Sequence, residues 1–283
     1  MGDEFDDAVD DQEGAPRPRD EQTDLAKAQL LGRIQSEDRV FYVQQLQVLH
    51  ERSYFHWITG RALRELIDER RINAFWDELA PEVNIRLIVR RSYRHWKREG
   101  QRVVELVRRY SVGTLAGALG PYGEIVVDAG LASAGVRLLA RDVSALDGRA
   151  WTETGHNLDR AYELNGVRYG VEIKNTLKYI NDGELEIKLN ICKTLGLRPL
   201  FVVRMMPKAW AWPRIIQPGG YVMMLGDQLY PVGAEEFAKE VREQLLLPVT
   251  CPKRLEDGHV ERFLRWHHKN LAKNQLGFGA GRK

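Results

Sequence analysis

Cysteine is scarce. Cys192 and Cys251 are the only two in 283 residues, too few for a disulfide framework or a zinc cluster, so an intracellular, reduced protein is expected. No uninterrupted apolar run approaches the ~20 residues that a bilayer helix needs, so no membrane partner is expected. The acidic N-terminus has neither the basic nor the apolar region of a secretory signal. The glycines between Ser111 and Gly123 are followed by no GK[ST], which excludes a phosphate-binding loop of that kind. What is present, 43% hydrophobic and 29% charged residues, describes a globular chain able to bury a core, most economically as two domains.

The formal charge of +2 hides an asymmetry. Residues 1–24 hold ten acids against Arg17 and Arg19, a balance of −8, which leaves +10 on the remainder. A basic body with an acidic tail points to a polyanionic partner, with the tail able to compete for the same surface. The alternative reading is a disordered, solubilising tail.

After that tail, a helical pattern begins at Asp24, and Ser36 is placed to cap a second helix through Phe41, Leu46, Val48 and Leu49. Residues 59–71 put Ala62, Leu63, Leu66 and Ile67 on one helical face, with Arg61 and Arg64 off it. Val83, Ile85, Leu87 and Val89 alternate as in a strand. A basic helix around Trp96, Val103 and Val107 follows. From Arg86 to Arg109 nine bases stand against Glu99 and Glu105, with Tyr93 and Trp96 among them, a composition suited to phosphates and stacked bases. Residues 25–112 are therefore expected to form a mainly helical domain like a winged helix-turn-helix, holding a nucleic-acid backbone through Arg61, Arg64, Arg90, Arg91, Arg94 and Lys97.

The Gly/Ala-rich stretch near 110–120 reads as a boundary. Beyond it the pattern predicts a helix over 124–141, a strand near 150–154, a hairpin over 158–175, a helix over 182–195 and a strand over 199–205. Short strands at 220–225 and 228–231 and a helix over 235–246 follow. Helices flanking a mixed sheet give an α/β class for residues 120–250, with a basic C-terminal segment over 251–283.

Asn165-Gly166 is a strong signal for a two-residue hairpin turn. With that turn, paired positions sum to 331: Glu163 meets Arg168, Tyr162 meets Tyr169, and Leu158 meets Ile173 on the apolar side. Asp159 then falls opposite Glu172, with Lys174 two residues along the same face. Opposed carboxylates repel, and a divalent cation such as Mg²⁺ or Mn²⁺ removes the conflict. The cation would lower the pKa of a water, and Lys174 would orient that water or neutralise a phosphoryl group. An exposed acidic edge with a satisfied lysine is the alternative.

Asp159, twelve residues, then Glu172-Ile173-Lys174 resembles the signature of the PD-(D/E)XK nuclease superfamily. The order helix, three-stranded meander, helix, strand over about 120–206 resembles its core, with Leu158 where a proline often stands. The resemblance implies a restriction-endonuclease-like fold and hydrolysis of phosphodiester bonds in DNA rather than RNA. It implies Asp159, Glu172 and the Ile173 carbonyl as metal ligands, Lys174 as the catalytic lysine and Glu124 as an added acid. It also draws attention to Asn175, Glu184 and Lys188, the last two readable as a surface pair. Cutting both strands of a duplex suggests a homodimer. The rival is a non-catalytic DNA-binding regulator with a nuclease-like scaffold. His259, His267 and His268 read as solvated residues of a basic tail, and Cys192 as core.

Overall fold

The computed structural model describes residues 19–277, with side chains from 19 to 271. Residues 1–18, most of the expected acidic tail, lie outside the described residues, and so does any contact of theirs with the chain's basic surface. The chain divides into two units. One ends at Ala118 and is completed by Glu236–Val249; the other comprises Leu119–Glu235 and the chain from Thr250.

The first unit begins with α1 (Gln22–Ser36), β1 (Phe41–Tyr42), α2 (Val43–His50), α3 (His56–Asp68), β2 (Ile72–Ala80), β3 (Val83–Arg90) and α4 (Trp96–Ser111). Ala26, Leu30 and Ile34 recur at helical spacing on α1 and share one core with Leu46, Ala62, Leu63, Leu66, Ile72 and Ile88. The three strands are antiparallel in the order β1-β3-β2. Residues 22–24, expected to end the tail, instead open α1, where Asp24 is ion-paired with Arg19 at 2.5 Å. Ser36 closes α1 rather than capping a second helix. Phe41 and Tyr42 are extended because they pair with Ile88 and Leu87, and Gln45 Oε1 accepts from the Tyr42 N–H at 3.2 Å as α2 starts. The later segment 236–249 belongs here too: the buried Gln45 amide donates to the Leu245 carbonyl at 2.7 Å.

α5 (Thr114–Ser133) carries the chain across the boundary and contains Pro121. The predicted helix over 124–141 is thus displaced. It starts ten residues earlier, inside the expected linker, and stops before β4 (Arg137–Val143). A small hairpin, β5 (Ala145–Leu146) and β6 (Arg149–Ala150), stands near the strand expected at 150–154. Then come β7 (Leu158–Leu164), β8 (Val167–Lys174), α6 (Asp182–Leu195), β9 (Arg198–Val203), a short α7 (Lys208–Ala211) running into a π-helical turn, and β10 (Tyr221–Met224). β11 (Gln228–Leu229), α8 (Glu235–Leu245), β12 (Val249–Thr250) and α9 (Asp257–Gly277) complete the chain.

The main sheet is mixed, in the order β10-β9-β8-β7-β4. β4, β7 and β8 form an antiparallel meander, and β8, β9 and β10 run parallel. β8 is therefore central: Tyr169, Val171 and Ile173 face the α5 core, while Gly170 and Glu172 are buried on the opposite, α6, side. Tyr162, Tyr169, Val171 and Leu200 share a core with Val126, Val127 and Leu131 of α5 and Phe263 of α9. Leu158 and Ala161 pack with Ile191, Cys192 and Leu195 of α6. The architecture is mixed α/β. Among the described residues no helix is long and apolar enough to cross a membrane.

Of the C-terminal histidines, His268 is exposed as expected, but the other two are not solvated. His267 is fully buried and shares a 2.6 Å hydrogen bond with the Tyr169 hydroxyl, and His259 is buried as well. Phe263 and His267, four residues apart, turn the same face of α9 toward the sheet.

Candidate active site

The hairpin turn has the backbone that Asn-Gly favours, with φ of 48° at Asn165 and 75° at Gly166. Five pairs follow in the expected register, from Leu164↔Val167 to Arg160↔Val171. The ladder then stops. Asp159 is not paired across; its Oδ2 accepts the Ile173 N–H at 2.6 Å, taking the place of a strand carbonyl. Leu158 consequently packs on the α6 side with Ala161 and Cys192, whereas Ile173 lies on the α5 side. The expected Leu158–Ile173 pairing on one face is corrected by this break.

β8 delivers Glu172 and Lys174 to the α6 face, in register with Phe201 and Val203 of β9. Asn175 fixes the end of the strand: its amide donates to the carbonyls of Leu119 and Leu229 and accepts from the Leu229 N–H, each at 2.7 Å. It is a buried brace and not a group facing a ligand. α6 is placed by its ends. The Asn181 side chain accepts from the Glu184 N–H, and Gly196, at φ 70°, lets the Leu197 N–H reach the Cys192 carbonyl at 2.8 Å.

Four charges meet where β8 and α6 face each other. Lys174 Nζ lies 2.6 Å from Glu184 Oε1 and 3.5 Å from Glu172 Oε1. Lys188 Nζ lies 2.7 Å from Glu172 Oε2 and donates to the Asn157 carbonyl at 2.6 Å. The approach of Lys188 to Oε2 is ionic and not along a hydrogen-bond direction, so that oxygen has no aligned donor. Glu172 is 2% exposed, whereas Lys174 keeps 29% of its side chain open. Burial first, and the Asp159 charge second, push the Glu172 carboxyl up to about 7. Burial likewise raises Asp159, against the opposing Ile173 N–H, and Glu124 adds to the rise. For Lys174, burial is outweighed by Glu172, Glu184 and Asp159, and the ammonium is held above its ordinary value.

Glu184 and Lys188 are thus not a surface pair. Lys188 is the residue that spacing could have exposed: Leu185, Lys188 and Cys192 stand at i, i+3 and i+7, so the lysine falls in the buried stripe of α6. Glu124 stands in mid-helix, not in a first turn, and its Oε2 is 2.5 Å from Arg160 Nη2. Arg160 also binds Asp128 and donates to the Asp159 carbonyl. Among the described residues no three His, Cys, Asp or Glu side chains converge as a metal cluster.

A cation would therefore find two carboxylates and the Ile173 carbonyl. That set of hard oxygens suits Mg²⁺, which keeps several of its waters. Glu172 is buried and Asp159 half-buried, burial raises both carboxyls, and added positive charge beside them would lower that cost.

In the first unit, Arg61 and Arg64 lie half-buried on α3 and are engaged within the protein. Arg90 is ion-paired with Asp38. Arg91, Arg94 and Lys97 are exposed. The chain matches no protein-family model, no curated protein and no solved structure at a significant level.

Proposed function

We propose that the protein is a metal-dependent nuclease that hydrolyses phosphodiester bonds in DNA. The observation that carries the reading is the meeting of Asp159, Glu172 and Lys174 at the broken end of the β7–β8 ladder, with one buried and one half-buried carboxyl, both raised by burial, and one lysine partly open to solvent. The run α5, β4, β7, β8, α6, β9 has the helix–meander–helix–strand order of restriction-endonuclease-like domains. The sequence α1, β1, α2, α3, β2, β3, with β1 beside β3, supports a winged-helix reading of the first unit.

Asp159, Glu172 and the Ile173 carbonyl would hold Mg²⁺ or Mn²⁺, which would supply charge neutralisation at the phosphate and a water of lowered pKa. Lys174 is the group able to reach substrate. Its ammonium would donate to a phosphoryl oxygen as negative charge grows there, or align the attacking water. Glu184 holds Lys174 until then, and Lys188 keeps Glu172 in place beneath it. The water forms the new P–O bond, the P–O bond to the leaving sugar oxygen breaks, and that oxygen takes up a proton.

The test is cleavage of labelled duplex, single-stranded and branched DNA, with RNA alongside, in Mg²⁺, Mn²⁺ or EDTA. Metal-dependent cutting that vanishes in Lys174→Ala and Asp159→Asn, while binding persists, is the expected outcome. Tight binding with no cutting of any substrate would replace this reading with the regulator.

A further inference from the structure

Several exposed cations of the first unit lie at one end of the β2–β3 ladder and on the loop and helix that follow it. Ile72↔Arg90 is the last pair there, so Arg70 and Arg71 enter the ladder where Arg91 leaves it. These residues, with Arg90 and Gln35, line a cleft of about 380 Å³. The loop that follows and the first turns of α4 present Arg94, Lys97, Arg98 and Arg102 around Trp96 in a second cleft of about 530 Å³. Asp68 at the end of α3 is exposed two residues before Arg70, and the other nearby acids are engaged. Asp38 pairs with Arg90, while Glu99 accepts from the Val40 N–H and from the Tyr93 hydroxyl. Arg70, Arg71, Arg91, Arg94, Lys97, Arg98 and Arg102 have no carboxylate at ion-pair distance among the described residues.

The other surfaces that could meet a polyanion are less suited. α1 packs along α3, where Glu65 is bridged by Arg19 and Lys27. The far end of the ladder, roughly 25 Å away at ~3.4 Å per residue, carries exposed Asp77, Glu78 and Glu82. Arg108, near that turn, is committed to the Leu79 and Glu78 carbonyls and to Glu105. Arg91 is tied to the Arg70 carbonyl at 3.0 Å and Lys97 lies over the Trp96 ring, but neither contact supplies a negative charge, and closely spaced phosphates are the ligand that relieves the mutual repulsion of the seven.

We infer that the first unit grips nucleic-acid backbone at the Arg70–Arg91 end of the β2–β3 ladder, and not through α3 or the hairpin turn. The inference rests on the nucleic-acid reading above and assigns the surface that holds the substrate.

It is tested by anisotropy of a short labelled duplex with the full chain, as a function of salt and without divalent metal. Arg70→Glu, Arg71→Glu and Arg91→Glu combined should weaken binding at least tenfold near 0.1 M salt. The corresponding Arg→Ala set should reduce the slope of log K against log salt by about two to three, since each phosphate contact contributes about 0.9. The Arg→Lys set should keep the wild-type slope, which separates charge from shape. Arg61→Glu with Arg64→Glu should change binding less than twofold. The opposite pattern, or a ladder-end Ala set with wild-type slope, overturns the inference while leaving the nuclease reading intact if cleavage persists. A wild-type chain that neither binds nor cuts any nucleic acid overturns both.

Discussion

Lys188 Nζ lies 2.7 Å from Glu172 Oε2, with only 7% and 2% of the two side chains open to solvent. Breaking a buried pair by removing one partner leaves a charge without compensation, at a cost of about 3–5 kcal/mol. Lys188→Met should therefore destabilise the chain by that order at pH 8, read from urea unfolding, and by less at pH 5, where Glu172 takes up a proton. Lys188→Met with Glu172→Gln should recover much of the loss. A single variant as stable as wild type at pH 8 would show that the pair is dispensable.

The raised Glu172 carboxyl has a defined consequence for pH. Its ordinary value is 4.5 and the folded value about 7, so between them the native state holds more protons than the unfolded chain. Stability from this group is full below about 4.5 and is lost as pH rises through 7, by about 3 kcal/mol. His50, lowered by burial to about 4, works in the opposite direction below its ordinary value. The difference between wild type and Glu172→Gln isolates the carboxyl: relative to the variant, wild type should lose stability over that window. A flat difference would refute the assignment.

Divalent metal should act on the same charges. Mg²⁺ or Mn²⁺ is expected to raise Tm at pH 8 and much less at pH 5, where protons compete for the carboxylates. Asp159→Asn should abolish the rise. Equal shifts in wild type and variant would place the metal elsewhere.

Gly123 on α5 sets how closely that helix approaches the end of β8. A Cβ added there would stand 2.7 Å from Asn175 Cβ and 3.2 Å from its amide group. Gly123→Ala must push Asn175 off its three hydrogen bonds or move the helix, a change of about 1–3 kcal/mol by overpacking. Because Asn175 follows Lys174 directly, cleavage should fall more steeply than Tm. Gly120→Ala, with open space around the new methyl, is the matched control.

Deleting residues 1–18, which carry seven acids against Arg17, should tighten duplex binding several-fold at low salt. The difference should vanish by about 0.5 M, where the screening length is under 5 Å. Unchanged binding at low salt would leave the segment without a competing role.

The site was legible where local chemistry sets the geometry. Asn165-Gly166 fixes the turn, and Glu163↔Arg168 and Tyr162↔Tyr169 follow from it. α6 was legible from end to end because Asn181 and Gly196 punctuate it. What the sequence hid depends on distant partners. Phe41 and Tyr42 fit a helical pattern until Ile88 and Leu87 are there to pair with them. Leu138 and Leu139 extend the α5 periodicity, but the pairing with β7 draws them into a strand. Asp159 breaks the ladder that the turn register predicts it to continue, because its carboxylate accepts the Ile173 N–H. Lys188 reads as a partner of Glu184 by its i,i+4 spacing, whereas its spacing to Leu185 and Cys192 puts it in the buried stripe of α6.

The first unit is assembled from two stretches of chain separated by the whole of Leu119–Glu235. During synthesis, Gln45 waits for the Leu245 carbonyl, and Arg109 for Glu240 and for the ring of Phe237, 4.1 Å beneath its guanidinium. At about 5–20 residues per second, that wait is on the order of ten seconds. Over this interval the first unit lacks the segment that completes it, so its packing is finished only after the whole of the second unit's Leu119–Glu235 has been made.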